Sequence, residues 1–213
     1  MRARILIGLF GILGLTVLVV LLLAVLPDRA FAPQTLEEIP SALDAPEITF
    51  IDPMRGNPDA RVTIVEYGDY LCPLCQQLAP DIQALVEEAP QKRRFVWKDA
   101  PNIDAHPEAM SVALAARCAQ DQGAFWPYYD ALFAARGTLS SALELEQLAA
   151  QLNLDVDAFA NCMASEVTRP VILHTLQEAL SLGINGTPTF YINGTLYTGS
   201  LTKSAIEDYI QTL

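Results

Sequence analysis

The sequence predicts an α/β domain that is split by an inserted block of helices and preceded by one N-terminal transmembrane helix. Three observations lead there. Residues 5–26, ILIGLFGILGLTVLVVLLLAVL, contain no charged side chain. The β-branched run RVTIVEY (61–67) is followed by CPLC and then by apolar residues at helical spacing. From residue 107 to 182 the composition turns to Ala, Leu, Gln and Glu with helical periodicity, and a strand pattern returns only afterwards.

As a helix, residues 5–26 would be about 33 Å long, enough to cross a hydrocarbon core of roughly 30 Å. Arg2 and Arg4 precede the span, so residues 1–4 are expected in the cytoplasm and the rest of the chain outside it. Ala30-Phe31-Ala32 resembles a signal-peptide cleavage site. However, the apolar run exceeds an ordinary signal core and Pro33 follows the site directly. A retained anchor is the expectation, and cleavage is the alternative. Residues 27–47 hold Pro27, Pro33, Pro40 and Pro46 among several acids and read as a semi-rigid tether. The net charge is −12, or about −14 without the basic flank. An acidic surface argues against a nucleic-acid partner.

The α/β domain begins at residue 48. ITFIDP reads as a short edge strand, and MRGNPDA as a turn signalled by Asn57-Pro58-Asp59. RVTIVEY is a buried strand. Pro73 suits the first turn of the helix that follows, and Pro80 is expected to bend it. RRFVWKDA (93–100) is the next strand, which completes β-α-β over 48–106. Helices are expected near 108–122, 125–136, 141–152, 156–164 and 167–182. Residues 183–213 return to strand pattern, with TPTFYING turning on Asn193-Gly194 and SAIEDYIQTL closing as a helix.

Chemistry concentrates on the four cysteines, Cys72, Cys75, Cys118 and Cys162. In an exported chain an even count suggests disulfides, though four cysteines allow three pairings. Cys72 and Cys75 are the natural close pair, which leaves Cys118 with Cys162. Cys72 at a helix N-terminus would have its thiolate stabilised by free N–H groups and the helix dipole, with Cys75 one turn further in. A zinc site and an inert brace are the alternatives for Cys72 and Cys75. Structural zinc usually takes four ligands, and the chain has neither a second CxxC nor an HxxxH. Glu66 lies six residues before Cys72 in an apolar strand. If buried it should have a raised pKa; the alternative is a solvated edge glutamate. Lys98, in the neighbouring strand, is its candidate charge partner. Cys118 extends a Met110–Leu114–Cys118 stripe and Cys162 follows Phe159 by three, so both should face the helical core. They form either a structural disulfide, two buried thiols or a second redox pair. Tyr70 and Leu71 are candidates for an apolar peptide-binding surface. Phe125-Trp126 and Tyr128-Tyr129 read as core, His106 as a cap, surface or near-site residue, and His174 as helix surface.

VTIVEYGDYLCPLC, NIDAHPEAMSVALAARCA, GAFWPYYDALF and LGINGTPTFYING together resemble the thioredoxin fold with a helical insertion. More narrowly, residues 48–213 look like the DsbA-type disulfide oxidoreductases of bacterial cell envelopes. The resemblance implies that Cys72 carries a mixed disulfide with substrate, that Cys75 resolves it and that Glu66 relays a proton to Cys75. It also implies a cis peptide at Thr187-Pro188 beside the cysteines, with the Thr187 backbone pairing to an extended substrate. Some members of the family carry a second bridge such as Cys118–Cys162. Pro73-Leu74 tunes the pair. Where DsbA-type oxidants often have a polar residue or histidine, Leu74 offers neither charge nor hydrogen bond, which leaves oxidase, reductase and isomerase roles open. The implied substrates are unfolded or partly folded exported proteins. The implied redox partner is a membrane oxidant of the DsbB or vitamin K epoxide reductase type. No metal or organic cofactor is required. A monomer is expected, in the periplasm or on the outer cell surface. A non-enzymatic binding module is the remaining alternative.

Overall fold

A computed structural model describes residues 43–213. The expected span at 5–26 and most of the tether lie outside them. Among the described residues no helix is long and apolar enough to cross a membrane. The chain runs β1 (Met54–Gly56), β2 (Val62–Gly68), α1 (Pro73–Glu87), β3 (Arg93–Asp99), then α2 (Ala109–Asp121), α3 (Phe125–Ala134), α4 (Ala142–Gln151), α5 (Val156–Ser165) and α6 (Arg169–Ser181). It closes with β4 (Thr189–Ile192), β5 (Thr195–Leu196) and α7 (Lys203–Gln211). The sheet order is β1-β3-β2-β4-β5, with β2 parallel to β3 and the other pairs antiparallel. This is the split β-α-β and β-β-α order expected from the sequence.

Local chemistry accounts for the boundaries. Pro73 occupies the first turn of α1, and Leu78, Ile82 and Leu85 bury one stripe of it, with Pro80 inside the helix. Ser141 and Glu144 form a capping box on α4, while Asp155 and Thr202 cap α5 and α7. The hairpin turns on Asn193 (φ 51°) and Gly194 (φ 79°), the left-handed pair that two-residue hairpins require. The edge strand differs from expectation. ITFIDP forms a turn, and MRG forms the strand instead. The buried Asp52 carboxylate accepts hydrogen bonds from the Thr49 N–H and hydroxyl and pairs with Lys98, which curls residues 49–52 away from the sheet.

The sheet is covered on both faces, so alternate residues of each strand enter different cores. Ile64, Phe95, Trp97, Phe190 and Ile192 pack towards α1, the insertion and α7. Val65, Tyr67, Val96 and Tyr191 pack with Ala179 of α6. Each large side chain buried in this way contributes roughly 1.5–3 kcal/mol. The insertion is joined to the sheet by an aromatic cluster. Trp97 meets Tyr70, Tyr129 and Phe133 at ring separations of 4.9, 5.1 and 5.7 Å. Tyr70 is therefore core rather than peptide-binding surface, while Leu71 is partly buried against the same core. Phe125, Tyr128 and Tyr129 are buried, and Trp126 packs against them.

Cys118 of α2 and Cys162 of α5 are joined in a disulfide. It closes a loop of sequence separation 44. In the chain-entropy account this contributes about 4 kcal/mol by restricting the unfolded chain. Replacing both cysteines by alanine should lower unfolding stability by about that amount, while leaving disulfide exchange at Cys72 and Cys75 intact. Urea denaturation and a glutathione exchange assay on the same sample check both halves.

Candidate active site

The site lies where β2 ends and α1 begins. β2 is buried along its whole length, Gly68 closes it, and a tight turn over residues 69–72 delivers the chain to the helix. Gly68 is required sterically, since a Cβ there would overlap the Trp97 ring. Within the turn, the Leu71 N–H donates to Asp69 Oδ1 at 2.8 Å and the Cys72 N–H donates to the Asp69 carbonyl at 3.1 Å. Cys72 is the N-cap of α1 and Cys75 lies in the first turn, fully buried. Cys72 is 8 % exposed and Leu74 is 39 % exposed.

The two sulfurs sit in opposite electrostatic situations. The Cys72 thiol is pulled down to about 5. The largest cause is a hydrogen bond from the Cys75 thiol. Partial burial opposes it, and the N–H groups of Cys75 and Leu74 and the Thr187 hydroxyl add to it. Leu74 thus supplies its backbone even though its side chain supplies no polar group. The Cys75 thiol is pushed far up, first by burial, then by Cys72 and by the Glu66 charge. The Thr187-Pro188 peptide is cis, and the Thr187 carbonyl lies 3.3 Å from Cys72 Sγ. Pro188 is buried and Thr187 is partly exposed.

Glu66 is 1 % exposed and faces the cysteines. Its carboxyl is raised to about 8, chiefly by burial and further by Cys72, against a hydrogen bond with Cys75 that lowers it. Its Oε2 has no hydrogen-bond partner. The expected pairing with Lys98 does not form. Glu66 is in register with Trp97 and shares its face, whereas Lys98 is in register with Tyr67 on the opposite face. There Lys98 meets Asp52 at 2.9 Å and Glu178 at 3.0 Å and donates to the Glu47 carbonyl. Among the described residues Glu66 is the one buried carboxylate without a cationic partner, and its raised pKa favours the protonated form beside Cys75.

The structure therefore brings together Glu66, Cys72, Pro73, Leu74, Cys75, Thr187 and Pro188. Cys118 and Cys162 stand apart in the insertion as a bonded pair. Asp69 was not singled out from the sequence as a site residue, although it has a legible signal, an aspartate two residues before the first of two turn N–H groups. Thr187 was expected to act through its backbone, and its hydroxyl adds to the stabilisation of Cys72. His106 lies against Asp69 at 2.7 Å. No cluster of metal-ligating side chains occurs among the described residues.

Comparisons with known proteins agree with this architecture. Residues 50–212 match the family model Thioredoxin_4, described as thioredoxin. A thioredoxin-like oxidoreductase from Silicibacter pomeroyi superposes with a TM-score of 0.69 at 28% identity, covering 77% of this chain and 92% of that one. Oxidised BdbD of Bacillus subtilis gives 0.69 at 21% identity over 79% and 95% of the two chains. Wolbachia pipientis alpha-DsbA1 gives 0.68 at 21% identity over 79% and 92%. Among curated sequences, a Na(+)/H(+) antiporter NhaA 1 of Salinispora arenicola is 39% identical over 155 residues, which is 73% of this chain. The chain spans about a quarter of the length of the curated relatives it matches.

The titrations give a pair of expected outcomes. Alkylation of Cys72 in the reduced protein should rise through a midpoint near pH 5, where an ordinary thiol titrates near about 8.5. Glu66 has its pKa raised above 4.5, so its contribution to stability is full below that pH and is lost as pH rises through about 8. Wild type should therefore lose stability relative to Glu66→Gln between about pH 4.5 and 8 and run parallel to it above that, with both proteins reduced. Urea midpoints across that range read the difference, and curves parallel throughout it would place Glu66 in solvent.

Proposed function

The chain belongs to the thioredoxin family, and from that premise we propose that it is an extracytoplasmic thiol–disulfide oxidoreductase that introduces disulfide bonds into exported proteins. The observation that carries this reading is the Cys72 thiol at about 5. Stabilising the thiolate stabilises the dithiol form, which makes the Cys72–Cys75 disulfide easier to reduce and so a better oxidant. Thioredoxin's own thiol titrates near about 7 and the strong oxidant DsbA near about 3.5, and Cys72 falls between them.

The exchange follows from the geometry. A substrate thiolate attacks Cys72 of the disulfide. A substrate–Cys72 bond forms, the Cys72–Cys75 bond breaks, and Cys75 leaves with the electron pair. Burial disfavours a Cys75 thiolate, and the neutral Glu66 carboxyl supplies its proton. A second substrate thiolate attacks the substrate sulfur of the mixed disulfide and expels Cys72 as a thiolate. Two substrate thiols thereby lose two electrons, and Cys72 and Cys75 gain them. The Thr187 backbone beside Cys72 offers main-chain pairing to an extended substrate, which suits many unfolded sequences. Pro73 and Leu74 set the donors around Cys72, and Cys118–Cys162 braces the insertion. Reoxidation falls to a membrane oxidant of the DsbB or vitamin K epoxide reductase type.

Residues 5–26 would hold the domain at the membrane. The curated relatives support membrane proximity, since there the matching region belongs to proteins named as antiporters. The apolar Leu74 favours a second reading, a reductase or isomerase on the same site. The equilibrium reduction potential of the full-length protein in mild detergent separates a donor or isomerase from a reductase. A value well above about −200 mV is expected, and one near about −270 mV would assign a reductase. Cys75→Ser should accumulate a mixed disulfide through Cys72 when its thiolate attacks a disulfide-bearing, unfolded substrate, the substrate's other sulfur leaving as a thiol, and Cys72→Ser should abolish exchange. Loss of neither would leave a binding module.

A further inference from the structure

Asp69 lies three residues before Cys72 and is 1 % exposed. One carboxylate there ties three pieces of chain together. Oδ1 accepts from the Leu71 N–H at 2.8 Å. Oδ2 accepts from the Asn102 N–H at 3.1 Å and contacts His106 Nδ1 at 2.7 Å. Its backbone holds the Cys72 N–H and directs its own N–H at the Cys75 sulfur. Asn102 and His106 belong to the connection from β3 into the insertion, where the His106 N–H donates to the Asn102 carbonyl and the Ala109 N–H to the His106 carbonyl. The redox turn and the root of the insertion are therefore fastened at a single buried carboxylate.

A buried carboxylate needs a partner, and beside two thiols its charge has a further consequence. Uncompensated negative charge disfavours a thiolate. Among the described residues His106 is the one cationic or ring N–H partner that Asp69 has. The other ionisable carboxyl facing the sulfurs is Glu66, from β2 beside Cys75. Arg117 and Lys98 are occupied by Asp99, and by Asp52 and Glu178. We propose that Asp69 and His106 form the positioning pair of the redox centre. Asp69 shapes the turn that aims backbone N–H groups at the sulfurs. His106, 25 % exposed, offsets the Asp69 carboxylate so that it does not oppose the Cys72 thiolate. Neither residue touches substrate. This inference rests on the redox reading of Cys72 and Cys75.

The test uses the full-length protein in mild detergent, with Cys72 alkylation followed against pH and the Cys72–Cys75 equilibrium set by glutathione. His106→Ala should raise the alkylation midpoint by about half a pH unit or more and shift the glutathione equilibrium about threefold or more towards the disulfide. His106→Asn places an amide N–H where Nδ1 stood and should restore most of both. If His106→Ala fails to fold, His106→Gln, whose amide lies one bond beyond the Nδ1 position, stands against His106→Asn. A midpoint and equilibrium unchanged from wild type, or a loss of melting temperature alone, would overturn the proposal. If the wild-type pair itself never exchanges with glutathione, the redox reading fails instead, and the two failures are distinguishable.

Discussion

The central strand β2 is buried along its whole length and on both faces, so every ionisable group that it and its neighbours carry has to be answered where it stands. Water is not available to do it, and an isolated buried charge costs several kcal/mol. Three answers are cationic or ring N–H partners. Lys98 lies between Asp52 and Glu178, Arg117 meets Asp99 at 2.5 Å, and His106 meets Asp69. Glu66 receives no such partner, and its answer is a proton. That one difference separates a carboxylate that carries structure from one that can carry chemistry.

The same constraint orders the cysteines. Cys75 is sealed beside Glu66 and is held as a thiol, whereas Cys72 meets the donors at the start of α1 and is held as a thiolate. The hydrogen bond from the Cys75 thiol lowers Cys72 most, backbone N–H groups add to it, and burial raises Cys75. For this reason a leucine at position 74 does not prevent a strongly acidic Cys72. The Leu74 side chain offers no polar group, but its N–H adds to the stabilisation that the Cys75 thiol provides, and such an N–H belongs to any residue except proline.

The insertion is more than an appendage on this sheet. Its aromatic residues enclose Trp97, whose ring lies over Gly68 at the mouth of the redox turn. Its first connection reaches Asp69 through Asn102 and His106. Two separate contacts thus lead from the helical block to the residues just before Cys72, one apolar and one polar. The Cys118–Cys162 bridge ties α2, which follows that connection, to α5.

Much of this architecture can be read from the chain. The order of elements follows from a change in hydrophobic period, the start of α1 from Pro73, and the hairpin from Asn193-Gly194. CPLC with a later Thr187-Pro188 marks the site, because a close cysteine pair and an X–Pro bond are visible as residue types in the sequence. The partners of charged groups could not be read in the same way. Lys98 is adjacent in the sheet to the strand bearing Glu66, yet a single step of strand parity sends it to the other core, where Asp52 and Glu178 arrive from distant segments. Asp52 also turns the expected first strand into a bend, which sequence spacing does not register. Local propensity and motif chemistry are written in neighbouring residues and so were determined by the sequence itself. Which charge meets which, and which carboxylate is left with its proton, depends on faces and distances that come into being only when the sheet is covered on both sides.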